Sequence, residues 1–184
     1  MRFLVNFNNL SLDRDDIVEF YMGTKEAIES HKHYKSVFRH KMSLGAKQEK
    51  EQCLEELSIE AGFALLAYLE SVFRKDFVIR IQRHKRKDEL SKHFLDSYNP
   101  AKKLYQYSLE EIFRAWYDKG CGLSDKIRQT FSSLPQYYNY RNWIAHGRYW
   151  EFKDTNYLRK FCFESILLMV DTVLRELKGK LLTH

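Results

Sequence analysis

At 184 residues the chain is long enough to bury one sizeable core and too short for two ordinary domains, so a single domain over residues 1–184 is expected. Apolar residues at 44% and charged residues at 30% exclude disordered and fibrous classes, while two prolines and seven glycines leave little for turn-rich β architecture and favour helices. The net charge of +6 is uneven, because residues 79–103 hold eight Lys or Arg against three acidic residues and so carry +5 of it.

Ser11 reads as an N-cap, and Asp13, Asp15 and Asp16 complement the dipole of a helix over about 12–37. The pattern lapses at Met42–Ala46. Residues 48–83 contain no proline and one glycine, with Leu54, Leu57, Ala61, Ala64, Tyr68 and Val72 spaced three or four apart. This predicts a long helix with one apolar stripe, bent near Gly62 and spanning roughly 50 Å. Asn99-Pro100 marks a turn. Ser108 and Glu111 form a capping box for a short helix that Gly120 stops. Ser124–Leu134 reads as a further helix ended by Pro135, which in turn opens another over 136–146, stopped by Gly147. Asp154 or Thr155 caps a last helix to about Lys178, whose broad apolar face (Leu158, Phe161, Cys162, Leu168, Met169, Val173, Leu177) needs more than one neighbour.

Three features bear on location and cofactors. Cys53, Cys121 and Cys162 are odd in number and widely spaced, so reduced thiols of a cytoplasmic protein are expected in place of a disulfide framework or zinc site. Met1–Leu10 has no continuous apolar stretch and Phe161–Leu174 is too short and too charged to span a bilayer, so neither a signal peptide nor a membrane anchor is expected. His31, His33 and His40 lack a carboxylate or thiol arranged to complete a metal site, and no cofactor is expected.

The chemistry concentrates in Tyr137–Trp150, where one histidine, two arginines, two asparagines and six aromatics occupy fourteen residues. On a helix Asn142 and His146 lie roughly 40° apart, whereas Arg141 is turned roughly 140° from His146, so a groove between two copies gathers the residue types better than one copy does. Histidine can take a proton from a ribose 2′-hydroxyl or give one to a leaving 5′-oxygen. Arginine presents a charged fork to phosphate oxygens as negative charge develops. The aromatics read first as core and second as platforms for unpaired bases. In the same way Arg80, Arg83, Lys85, Arg86 and Lys87, with Arg148, are read as RNA backbone contacts, against the plainer alternative of a solvated helix end and loop.

The segment Arg141-Asn142-x-x-Ala145-His146-Gly147 resembles the Arg-x4-6-His motif of the HEPN superfamily, where a polar residue, commonly Asn, follows the arginine. A weaker likeness takes in Phe63–Glu70 upstream. The resemblance implies an all-α bundle with long antiparallel helices, a homodimer that joins two motifs in one cleft, and metal-independent RNA cleavage by Arg141, Asn142 and His146, with Glu70 in support. It also implies a toxin of a toxin–antitoxin pair, with an antitoxin as partner, or a phage-defence effector. In members modified by nucleotidyltransferase antitoxins the histidine is followed by x-Tyr; here His146-Gly147-Arg148-Tyr149 is one residue longer, leaving Tyr149 as the candidate position. The alternatives are a non-catalytic HEPN module that binds RNA or protein, and a helical adaptor whose basic stretch meets an acidic partner.

Overall fold

The structure is a computed structural model and describes residues 13–30, 46–83, 88–120, 122–147 and 161–182. Among the described residues there are six α-helices and no strand: α1 Arg14–Ser30, α2 Ala46–Arg83, α3 Glu89–Ser97, α4 Leu109–Lys119, α5 Asp125–Ala145 and α6 Phe163–Glu176, with a short 3₁₀ turn at Leu104–Gln106.

The expected helix over 48–83 is one unbroken helix of 38 residues, and it is the axis of the fold. Its buried residues are not the single predicted stripe. Leu65, Leu66, Leu69, Phe73 and Asp76 are fully or almost fully buried, because α2 packs against all five other helices and is covered on several sides. Gly62 serves close approach: an added Cβ would stand 2.7 Å from Ile166 Cδ1 of α6. Phe73 is the hub of the far half, edge-on to Phe113 at 4.9 Å and packed against Trp116 and Phe131 at 5.9 and 5.7 Å between ring centroids. One continuous hydrophobic core draws on every helix.

Four boundaries differ from the sequence reading, each for a local reason. Asp13, rather than Ser11, caps α1, its carboxylate accepting from the Asp15 and Asp16 amides at 2.8 and 3.0 Å. Pro135 does not end a helix, since α5 runs through it from Asp125 to Ala145. Its ring is exposed while Leu134 and Tyr138 on either side are buried, so core packing holds the rod together where one backbone bond is lost. The last helix starts at Phe163, not near Thr155; Cys162 is extended there, and Ser58 Oγ of α2 accepts the Phe163 amide at 2.9 Å. Finally α3 was not expected. Asp88 caps it, accepting from the Ser91 amide at 2.8 Å, and Leu90 and Phe94 bury its inner face. By contrast the Ser108–Glu111 capping box stands as read, with bonds of 3.1 and 2.8 Å. Leu12, the expected end of α1 at 31–37, the connection around Met42 and the predicted cap at 154–155 lie outside the described residues.

No described helix is long and apolar enough to cross a membrane.

Candidate functional site

The last turns of α5 carry the motif. Tyr138 and Tyr140 face inward: the Tyr138 hydroxyl donates to the Leu66 carbonyl of α2 at 3.0 Å, and Tyr140 stacks on Phe161 with centroids 4.6 Å apart. Burial holds the Tyr138 phenol well above the usual tyrosine range, so it stays neutral. Tyr137 and Trp143 are half-buried against the same core. These four aromatics therefore anchor α5, and Tyr149 and Trp150 lie outside the described residues.

With α5 pinned by its tyrosines, Arg141 turns toward α2. Its Nη2 lies 3.2 Å from Glu70 Oε2, its Nη1 donates to Asn142 Oδ1 at 3.2 Å, and its guanidinium sits 5.5 Å from the Phe63 ring centroid. Arg141 Nε is buried without a hydrogen-bond partner, over an aromatic face that partly offsets the loss. The other Glu70 oxygen accepts from Arg74 Nε at 2.6 Å, and Arg74 Nη1 donates to the Tyr107 carbonyl at 3.0 Å. Two arginines thus share the Glu70 carboxylate. They line a cleft of about 290 Å³ between α2, α4 and α5 with Asn139, Asn142 and Ser108, and Glu110 at the same cleft balances the formal charge.

Sequence reasoning did not single out Arg74. Its signal was present: it lies four residues after Glu70 on one helix, the spacing at which side chains meet.

His146 is the C-cap of α5, exposed, its amide donating to the Asn142 carbonyl at 3.0 Å. Gly147 follows with φ +76°, the left-handed conformation that closes a helix and that other residues adopt only with strain. The Ala-His-Gly ending therefore has a conformational use: it brings the chain out of the helix directly after the histidine. His146 is not among the residues lining the cleft. Within one chain the structure gathers Glu70, Arg141 and Asn142, and sets His146 one turn further on at the exposed helix end.

The basic stretch needs a correction. Arg80 is 3% exposed and donates to Asp76 Oδ2, Asp88 Oδ1 and Oδ2, Ser91 Oγ and the Lys180 carbonyl at 2.7–3.0 Å. Its guanidinium also sits 5.2 Å from the Trp116 ring centroid. Such a side chain is a core ion-pair partner and is withdrawn from the RNA-facing set. The side chain of Arg83, and Lys85, Arg86, Lys87, Arg148 and Tyr149 with all their atoms, lie outside the described residues, as do His31, His33 and His40. Among the described residues no group of three or more His, Cys, Asp or Glu side chains is placed to hold a metal ion.

No protein-family model, curated protein or solved structure matches this chain, so the cleft and the helix end stand on their own geometry.

Proposed function

We propose that the chain is a metal-independent endoribonuclease of the HEPN type, acting as a homodimer and serving as a toxin of a toxin–antitoxin pair or as a phage-defence effector. The observation that carries this reading is the Glu70–Arg141–Asn142 chain of contacts at the end of α5, immediately before an exposed histidine. In the proposed reaction the 2′-hydroxyl attacks the adjacent phosphorus and the bond to the 5′-oxygen breaks. His146 supplies acid–base chemistry, taking the 2′-hydroxyl proton or protonating the leaving 5′-oxygen. Arg141, oriented by Glu70 and Asn142, faces the charge that develops on the phosphate. The products are a 2′,3′-cyclic phosphate and a 5′-hydroxyl.

Arg141 and His146 leave their helix in different directions, which supports pairing the arginine of one copy with the histidine of another. A mixed oligonucleotide pool incubated with the protein tests the reading. RNA should be cut in the presence of a chelator, DNA should be untouched because it lacks the nucleophile, and light scattering should give a dimer. Cleavage lost in chelator, or a monomer persisting at high micromolar concentration, would overturn it.

One observation favours a second reading. Arg141 is engaged by Glu70 and Phe63, and Gly147 accounts for the helix ending, so the motif also serves a non-catalytic module that binds RNA or protein. Arg83, Lys85, Arg86, Lys87 and Arg148 remain the proposed RNA contacts under either RNA reading. Neutralising the first four should weaken RNA binding for all sequences and reduce the salt slope by roughly one unit per charge. RNA affinity unchanged at two ionic strengths would assign the module to a protein partner.

A further inference from the structure

The motif cleft does not hold an anion by bulk attraction, because Arg74 and Arg141 are offset by Glu70 and Glu110 along its lining. What it can offer a reacting phosphate is direction: a guanidinium fork held ready before the charge develops. The contacts that set this direction run through a residue outside the motif.

Arg141 is held by three neighbours. Asn142 is next to it in the chain and moves with the same helix. Phe63 supplies an aromatic face without a directed bond. Glu70, 3.2 Å from Nη2, is therefore the one group on another helix, among the described residues, that gives the Arg141 side chain a directed polar contact. A glutamate side chain turns about several single bonds, so it aims a guanidinium only if its own carboxylate is fixed.

Arg74 supplies that fixation. Its Nε donates to Glu70 Oε1 at 2.6 Å, the shorter of the two contacts on that carboxylate, and its Nη1 donates to the Tyr107 carbonyl at 3.0 Å. Tyr107 is itself anchored: its buried ring packs on Phe77 at 5.1 Å between centroids, and its hydroxyl accepts the Asn99 amide at 2.7 Å. An ordinary pair four residues apart on a helix surface has no such second tie. Polar contacts thus run from the Tyr107 carbonyl through Arg74, Glu70 and Arg141 to Asn142, joining the entry of α4 to α2 and α5.

We infer that Arg74 is a positioning residue, which ties Glu70 to the Tyr107 carbonyl and so fixes the carboxylate that aims Arg141. Its chemical consequence rests on the ribonuclease reading above, whereas its geometric consequence does not. Two measurements on the full chain separate these. In the first, Arg74→Gln should lower kcat on a short oligoribonucleotide about 10–10²-fold with KM within about twofold, the pattern of a misaimed group rather than a lost phosphate contact. In an Arg141→Ala background the same change should cost less than about twofold, since no fork is left to aim. Glu70→Gln, close to isosteric, should reproduce the loss of kcat if Arg74→Gln folds poorly.

The second measurement needs no activity. The Arg141 Nε–H group, buried beside the Phe63 ring, should give a ring-shifted signal in a ¹⁵N–¹H spectrum, identified by its loss in Arg141→Ala. That signal should move or broaden in Arg74→Gln and in Glu70→Gln. A raised KM at unchanged kcat, or an equal loss in both backgrounds, would overturn the inference by making Arg74 a separate contact. An Arg141 signal unmoved in Arg74→Gln would overturn it on geometry alone. Wild-type protein that cuts no RNA would sink the ribonuclease reading, and the spectrum would still decide the role of Arg74.

Discussion

Arg80→Ala should lose about 3–5 kcal/mol of folding stability, the range for breaking a buried ion pair by removing one partner. Asp76 is fully buried, and Arg80 supplies its only charged partner among the described residues, at 2.7 Å. Without the guanidinium a carboxylate would remain in the core with only the Leu182 amide at 2.8 Å. Denaturant unfolding should show a lowered midpoint at unchanged slope. The loss should shrink in acid. Burial raises the Asp76 carboxyl and Arg80 opposes that rise, so the variant raises it further. A folded-state value above the unfolded one means that folding takes up protons, and stability then increases as pH falls through that range. For Asp88, burial pulls upward but the Ser91 amide and then Arg80 hold it below the usual carboxylate range. Its stabilisation is present at neutral pH and lost in acid, and the variant has less of it to lose. Both carboxylates thus narrow the gap between wild type and Arg80→Ala at low pH. A loss below about 1 kcal/mol at neutral pH would place the network with surface pairs.

His146→Ala should slow RNA cleavage by about 10²–10⁴-fold, the usual contribution of a positioned general acid or base. Because His146 is exposed at a helix end, its removal should leave stability within about 0.5 kcal/mol. Arg141→Ala should slow cleavage by about 10²–10³-fold, as for loss of one charge-stabilising donor. Glu70 keeps Arg74 at 2.6 Å in that variant, so the Glu70 carboxylate is not left bare. Arg141→Lys should restore little, since lysine keeps the charge but cannot meet Glu70 and Asn142 with one planar group. Cleavage within tenfold of wild type in His146→Ala would sink the acid–base assignment and leave the binding-module reading.

Where the sequence was legible, short-range rules sufficed. The long α2 follows from its uninterrupted apolar spacing, and α4 from a serine and a glutamate that reach each other across one turn. Where it was not, a partner distant in sequence decided the outcome. Pro135 looks like a helix end until Leu134 and Tyr138 are seen held in the core, and the charge of Arg80 looks like surface until Asp76, Asp88 and the Lys180 carbonyl surround it. Of the candidate site, the sequence offered Arg141, Asn142 and His146 by spacing, and Glu70 by the upstream likeness. Arg74, and the stacking of Arg141 over Phe63, needed the packing of α5 on α2.

The buried Arg80 also bears on the timing of synthesis. Its Nη2 is satisfied by a carbonyl 100 residues later in the chain, and Asp76 by an amide 106 residues after it. At about 5–20 residues per second, roughly 5–20 s separate translation of Arg80 from that of Lys180. During that interval the nascent chain holds Arg80 and Asp76, already able to pair with each other, each still lacking one permanent hydrogen-bond partner, on the helix that forms the axis of the fold. A ribosome-bound chain stopped short of residue 180 should therefore remain open to protease. Compaction of α2, and with it the setting of Glu70 against Arg141, should come late in synthesis.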